Sequence, residues 1–258
     1  IGTNDTVTTT IIDDDSTVLV GIDAIETKVY FNDDHAGFSN SLITYQLDEN
    51  NNPINPQLIM FDSDDGHNDG DLLAAIGDAD TKFMIVSDGA DLTNMNLNGV
   101  LTFDNSNIPS GGTPLLVVDG VSLDTGITYY QDAEFNADDK DHFKEVVNTD
   151  GTTTISIEDL PSNGDHDFND LVITTETVKS DSIDLTEGNT GQYSVSLYDV
   201  NGVEIIAQAD IEVTFTYTGT ATDGSDFTKE ATVTVPAGSS SFLFDIDTID
   251  DLDIEGTE

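Results

Sequence analysis

The stretch "ISIEDLPSNGDHDFNDLVI", residues 155–173, decides how this chain is read. Its two ends are short runs rich in β-branched residues, and its middle holds Pro, Asn and Gly, so it reads as two strands joined by a loop. Glu158, Asp159, Asp165, Asp167 and Asp170 all fall between the two arms. Carboxylates at that density repel one another. Some must take up a proton, or the loop must open, or a divalent cation must sit among them.

The same strand pattern recurs outward from this hairpin, in "TVTTTII", "STVLVGI", "TKVYF", "KFMIVS", "PLLVV", "QYSVSLYDV", "IEVTFTYTG", "ATVTVPAG" and "SFLFDI". Each run is bounded by Gly, Asn, Asp or Pro. Helical periodicity is confined to "DLLAAIGDA" (71–79) and "DDKDHFKEV" (138–146), each read as a turn or two of helix. The expectation is an all-β, sandwich-like protein with few short helices. A break near Lys179 separates strands with long polar loops from a cleanly alternating C-terminal stretch. Residues 1–16 read as the closing strand of a preceding module, 17–178 as a complete module and 179–258 as an incomplete repeat. A segment of a tandem array is the organisation expected.

Charge narrows the function. The 258 residues include 52 acidic and 6 basic side chains, a formal net charge of -46. Of the acids, 40 are Asp and 12 are Glu, and Asp is the shorter ligand suited to tight loops. Such a charge opposes compaction unless something neutralises it. Nucleic acid and anionic membrane surfaces are excluded as partners, because both need clustered Lys and Arg. No apolar run approaches the roughly 18 residues of a membrane span, so membrane insertion is not expected. The chain has no cysteine, which rules out disulfides and thiolate metal sites. Bound cations are then the expected staple, and a halophilic surface is the alternative.

Calcium takes six to eight oxygens from carboxylates, carbonyls and water. "GDHDFND" offers Asp165, Asp167, Asn169 and Asp170, with Glu158 and Asp159 on the opposite arm to close the shell. The Asp-x-Asp-x-Asn spacing imitates an EF-hand, and Glu176 falls at its twelfth position. That match is rejected: the sixth position is Asp170 rather than Gly, and "LVITTE" is a strand that carries Glu176 away. "FDSDDGHNDGD" (61–71) supplies Asp62, Asp64, Asp69 and Asp71 as a second candidate. "NADDKDH" (136–142) supplies Asp138, Asp139 and Asp141 as a third. The histidines show no zinc-like pairing. Acids in polar, Gly-rich loops suit a metal better than the glycosidase pair, one member of which sits in an apolar pocket. No nucleophile elbow or phosphate loop is present, and an enzyme is not expected.

With these residues in view, 17–178 resembles the acidic module, long catalogued as of unknown function, of giant repeats-in-toxin (RTX) adhesins on bacterial surfaces. "NADDKDHF" and "IEDLPSNGDHDFNDLVI" carry the resemblance. It implies a secreted or cell-surface, β-rich, calcium-dependent module binding an extracellular ligand, in some members a peptide C-terminal carboxylate. Residues 179–258 resemble a Calx-β-type immunoglobulin-like repeat, through "LTEGNTGQYSV", "TGTATDGSDF", "VPAGSSSFLFDI" and "IDDLDIEGTE". That likeness places calcium ligands on Glu187, Asp226, Asp250, Asp251 and Glu255. The family's closing acidic triplet is missing there, and "TIIDDD" (10–15) looks like that triplet from a preceding repeat. A sheet edge left bare invites another chain, with "TVTTTII" as donor strand.

The resulting expectation is an adhesion module holding several calcium ions. One ion keeps a position open for a ligand carboxylate or vicinal hydroxyl pair, since a cation reverses the local sign of so negative a surface. The ligand is a peptide or glycan on host or neighbouring cells, contacted by Asp167; Tyr129 and Tyr130 read either as apolar contacts to it or, at least as readily, as core residues. A lectin-like module and a rigid calcium-filled spacer are the alternatives.

Overall fold

A computed structural model describes residues 8–10, 18–64, 66–77, 81–88, 99–108, 112–164, 166–180, 185, 188–219 and 221–249. Among these the chain is almost wholly β, as its strand pattern predicts. The described residues form eighteen strands, numbered in chain order and joined by turns, with single-turn 3-10 helices at Ala133–Phe135 and Pro161–Asn163. The chain divides into two compact units. One comprises residues 27–76 and 80–177; the other comprises 1–26, 77–79 and 178–258.

The first unit is built in three layers. Its outer sheet contains β11 (Phe143–Val147), β12 (Thr153–Ile157) and β13 (Leu171–Ser180), followed by β2 (Leu19–Asp33), which pairs with β5 (Leu72–Ile76). The middle sheet runs β10 (Thr128–Tyr130), β6 (Lys82–Val86), β3 (Ser41–Leu47) and β4 (Pro53–Met60). A small third sheet holds β7 (Leu101–Asp104), β8 (Leu115–Val118) and β9 (Val121–Ser122).

Alternate residues of each strand point to opposite faces, so the middle sheet feeds two cores. Leu42, Met60, Phe83, Ile85 and Tyr129 pack with Phe143, Ile155, Ile157, Leu171 and Ile173 of the outer sheet. Ile43, Tyr45, Met84, Val86 and Tyr130 pack with Leu116, Val118 and Phe135. Burial on both faces explains why "KFMIV" and "SLITY" are nearly continuous apolar runs rather than alternating ones.

Two local readings are corrected. "DLLAAI" is not helical: Leu72–Ile76 pairs antiparallel with β2 across a register shift at Val29/Tyr30. The segment 138–146 is a loop that runs into β11. In both, tertiary pairing overrode a weak local preference.

The second unit is a two-layer sandwich. Residues 19–24 of β2 pair with β14 (Thr190–Tyr198), which pairs with β18 (Ser241–Thr248) beside β16 (Phe227–Thr228). The other layer is β1 (Thr8–Thr10), β15 (Ile211–Thr216) and β17 (Thr232–Val235). Val18, Val20 and Ile22 share its core with Val195, Leu197, Val213, Phe215, Val235 and Phe244. These apolar contacts are why residues 18–26, read from sequence as the start of the middle module, cluster with this unit. The proposed donor strand pairs within its own chain, Thr9 opposite Phe215.

Candidate metal centre

The ladder between β12 and β13 runs from Thr153 opposite Thr175 to Ile157 opposite Leu171. Ile155, Ile157, Leu171 and Ile173 are buried, so the core fixes the root of this hairpin. Glu158 and Asp170 are the next residues beyond the ladder. The Asp159 N–H donates to Asp170 Oδ2 at 2.9 Å and holds the arms together. Gly164, at φ 37°, closes the loop over Glu158: a Cβ there would lie 2.6 Å from Glu158 Oε1 and 2.6 Å from Leu160 Cβ. His166 and Phe168 are also left-handed, at φ 65° and 55°, a conformation that costs about 1–2 kcal/mol per residue. Phe168 is nevertheless buried, and the Lys144 ammonium sits 3.2 Å above its ring centroid, a cation–π contact that secures the strained turn.

Inside this loop the acids converge. Glu158 is 0%, Asp159 2% and Asp170 9% exposed, and each offers an oxygen within 4.8 Å of the others. Calcium binds oxygen at about 2.3–2.6 Å, so two oxygens on one ion lie at most about 5 Å apart. The trio meets that limit.

A second loop completes the set. Buried Asn40 donates from Nδ2 to Asp159 Oδ2 at 2.9 Å, and its N–H donates to Ser63 Oγ. Asn40 Oδ1 is buried with no hydrogen-bond partner among the described residues. Asp34 accepts from the Ala36 N–H at 2.8 Å through Oδ1, while its Oδ2 is buried and likewise unpartnered. Burying an acceptor without a partner is unfavourable, and these two acceptors lie beside three buried acids, an arrangement that a cation could satisfy. The electrostatics agree. Burial raises the Asp34 carboxyl, with Asp64 and Asp170 adding to it and Ser63 and Ala36 opposing. Burial likewise pushes Asp159 up to about 6; Asn40 opposes this and the charges of Asp170 and Asp34 add to it.

The 136–142 loop braces the site from behind. His142 Nδ1 lies 2.9 Å from the Glu158 carbonyl, and Nε2 lies 3.2 Å from Asp138 Oδ2. The His142 ring stacks on Tyr129 with centroids 4.0 Å apart. Burial works against ionised Asp138, yet bonds from the Ser162 N–H and from His142 hold it below the usual carboxylate range. Asp138 therefore positions Glu158 through His142. Asp139 and Asp141 are exposed.

The remaining candidates fall elsewhere. Asp62 accepts from the Asp64 N–H, and Asp64 accepts from Ser39 Oγ at 3.1 Å, beside the Asn40 loop. Asp71 accepts from the Asn68 N–H at 2.8 Å, and Asp69 is exposed. Asp226 accepts from the Thr222 N–H and its carbonyl from the Ile249 N–H, closing a turn. Among the described residues, only Glu158, Asp159 and Asp170 form a cluster of three potential ligands. Neither 62–71, nor 138–141, nor Asp226 makes another. Asp165, Glu187, Asp250, Asp251 and Glu255 lie outside the described residues. Asp167 and Asn169 sit on the rim, where Asp167 Oδ1 accepts from the Asn169 N–H and the Asn169 carbonyl from the His35 N–H.

Tyr129 and Tyr130 are corrected. They are 3% and 0% exposed and their hydroxyls donate to the carbonyls of Gly126 and Pro114, because the middle sheet is covered on both faces. Sequence reasoning missed Asp34, Asn40 and Ser63. For Asp34 and Asn40 the signal was there in "FNDDHAGFSNS" (31–41), another acidic, Gly- and Asn-bearing loop between strands; Ser63 lies within the 61–71 loop.

Residues 77–177 match the model of a family described as a domain of unknown function (DUF4114). No curated protein and no solved structure matches the chain. The matched span holds the 136–142 and 158–170 loops; Asp34 and Asn40 lie outside it.

Proposed function

We propose that the first unit is a calcium-dependent recognition module of a secreted, bacterial cell-surface adhesin, and that it binds its ligand rather than turning it over. The observation that carries the metal is the buried all-oxygen set: Glu158, Asp159 and Asp170 with the stranded acceptors Asn40 Oδ1 and Asp34 Oδ2. Hard oxygen donors of mixed carboxylate and amide type suit calcium. The chain has no thiolate to offer, and both nitrogens of His142 already face oxygens, which disfavours zinc. A bound calcium supplies positive charge within a chain of net charge -46, and so draws in a ligand carboxylate. Asn40 orients Asp159, His142 holds the Glu158 backbone, and Gly164 lets the loop close. Asp167 and Asn169 on the rim are the residues a ligand meets first. The ligand class proposed is a peptide with a free C-terminal carboxylate, with a glycan as the alternative. The second unit serves as a spacer.

Burial of Glu158 and Asp159 favours one rival, a fully enclosed ion in a rigid structural module. Europium(III) substituted for calcium separates the two through its luminescence decay in H2O and D2O, which counts bound waters. At least one exchangeable water supports recognition, and none supports the spacer.

A further inference from the structure

Two of the edge strands of the first unit, β10 and β11, are finished differently. At β10 the outward peptide groups of Tyr130 are filled: its N–H donates to Asn136 Oδ1 at 2.7 Å, and its carbonyl accepts from Asn136 Nδ2 at 3.0 Å. The side-chain amide of Asn136 thus takes the place of a neighbouring strand. β11 ends the outer sheet with no described strand on its far side.

The register says which groups β11 leaves outward. Glu158 N–H bonds to the His142 carbonyl at one end of the ladder, and Asn148 N–H to the Thr152 carbonyl at the other. Bonded and non-bonded pairs alternate in an antiparallel ladder. Even-numbered Lys144 and Val146 therefore face β12 (their partners are Ser156 and Thr154), while Phe143, Glu145 and Val147 turn their N–H and C=O groups away from it. Edges are commonly guarded by free charges. Here Lys144 is drawn over the Phe168 ring and Glu145 Oε1 is held by Gln131 Nε2 at 2.5 Å. What remains open is Val146, 60% exposed, and Val147, 76% exposed.

We propose that the outer edge of β11 is a docking site for an extended peptide segment, uncharged or basic, that joins the sheet as an added strand. Outward groups on alternate residues recur about every 6.7 Å, a spacing that an extended polypeptide matches along its length. A second copy of this chain is disfavoured as occupant, since each copy carries a net charge of -46. This inference does not need the calcium reading.

The test uses the calcium-loaded chain and an array of random nonapeptides. Captured peptides should slow hydrogen exchange at the amides of Glu145 and Val147 at least tenfold. Val147→Pro removes only an outward donor, which edge strands tolerate; it should weaken capture at least tenfold with unchanged melting. N-methylation of alternate residues in the captured peptide should do the same without altering the protein. The proposal is overturned if no peptide is captured, if Val147→Pro and N-methylation leave affinity unchanged, if the two amides are already protected in the free chain, or if Val147→Pro instead abolishes a dimer. Calcium-dependent capture that ignores Val147→Pro sinks strand addition and leaves the metal reading intact. Capture lost in Val147→Pro but indifferent to chelator upholds strand addition and counts against a role for the metal in recognition.

Discussion

Residues 61–71 and 158–170 are both short, Gly-bearing and crowded with Asp, yet they fold into opposite environments. Asp71 is exposed and receives the Asn68 N–H and side-chain amide, which hold its carboxyl below the usual range. Asp159 is buried against other acids, and its carboxyl is pushed up to about 6. In one loop Asp62 and Asp71 accept from the loop's own N–H groups. The other gathers buried carboxylates side by side. Acid density alone is a weak sign of a cation site; burial beside other acceptors is a stronger one.

The largest expected break in this contrast comes from Asp159→Asn and Glu158→Gln. Either should weaken calcium binding at least a hundredfold by titration calorimetry. At a calcium concentration a hundred times the native Kd, a hundredfold weakening removes about 2.3 kcal/mol of the stabilisation that binding supplies. Equal calcium affinity in native and Asp159→Asn proteins would mean that the ion lies elsewhere.

The pH response follows from the same carboxyl. The folded chain binds the Asp159 proton more tightly than the unfolded chain, so in chelator this contribution is complete below about pH 4 and lost as pH rises through 6. Urea midpoints in chelator should therefore fall between pH 4 and 7, and calcium affinity should climb over the same window as metal displaces the proton. A flat profile in chelator would contradict the buried-acid account.

Gly164→Ala should cost about 1–3 kcal/mol in thermal or urea unfolding, since the new methyl meets Glu158 and Leu160. Asn40→Ala removes one stranded oxygen and the donor to Asp159, and should weaken calcium binding about tenfold, near 1–2 kcal/mol. The smallest effect belongs to the other loop. Asp71→Asn should leave calcium affinity unchanged and shift stability by no more than about 0.5 kcal/mol.

Much of this was legible in the sequence. Alternation and β-branched runs gave most strands, and "IEDLPSNGDHDFNDL" exposed Glu158, Asp159 and Asp170, because both arms of one hairpin are close in sequence. Asn40 was hidden because it lies 119 positions from Asp159, and only the pairing of β3 within its sheet brings that loop to the hairpin. "TYY" left ligand contact and core both open for a different reason. Exposed and doubly buried strands can carry the same aromatic residues, and only the third layer shows that Tyr130 faces a core. The 61–71 loop resembled a site because composition cannot report which N–H groups already serve its acids.

Anomalous scattering from crystals grown in calcium addresses the central claim most directly. The account predicts a peak within about 2.3–2.6 Å of oxygens from Glu158, Asp159, Asp170 and Asn40. A water molecule there instead, with the three acids sharing protons at neutral pH in millimolar calcium, would contradict it.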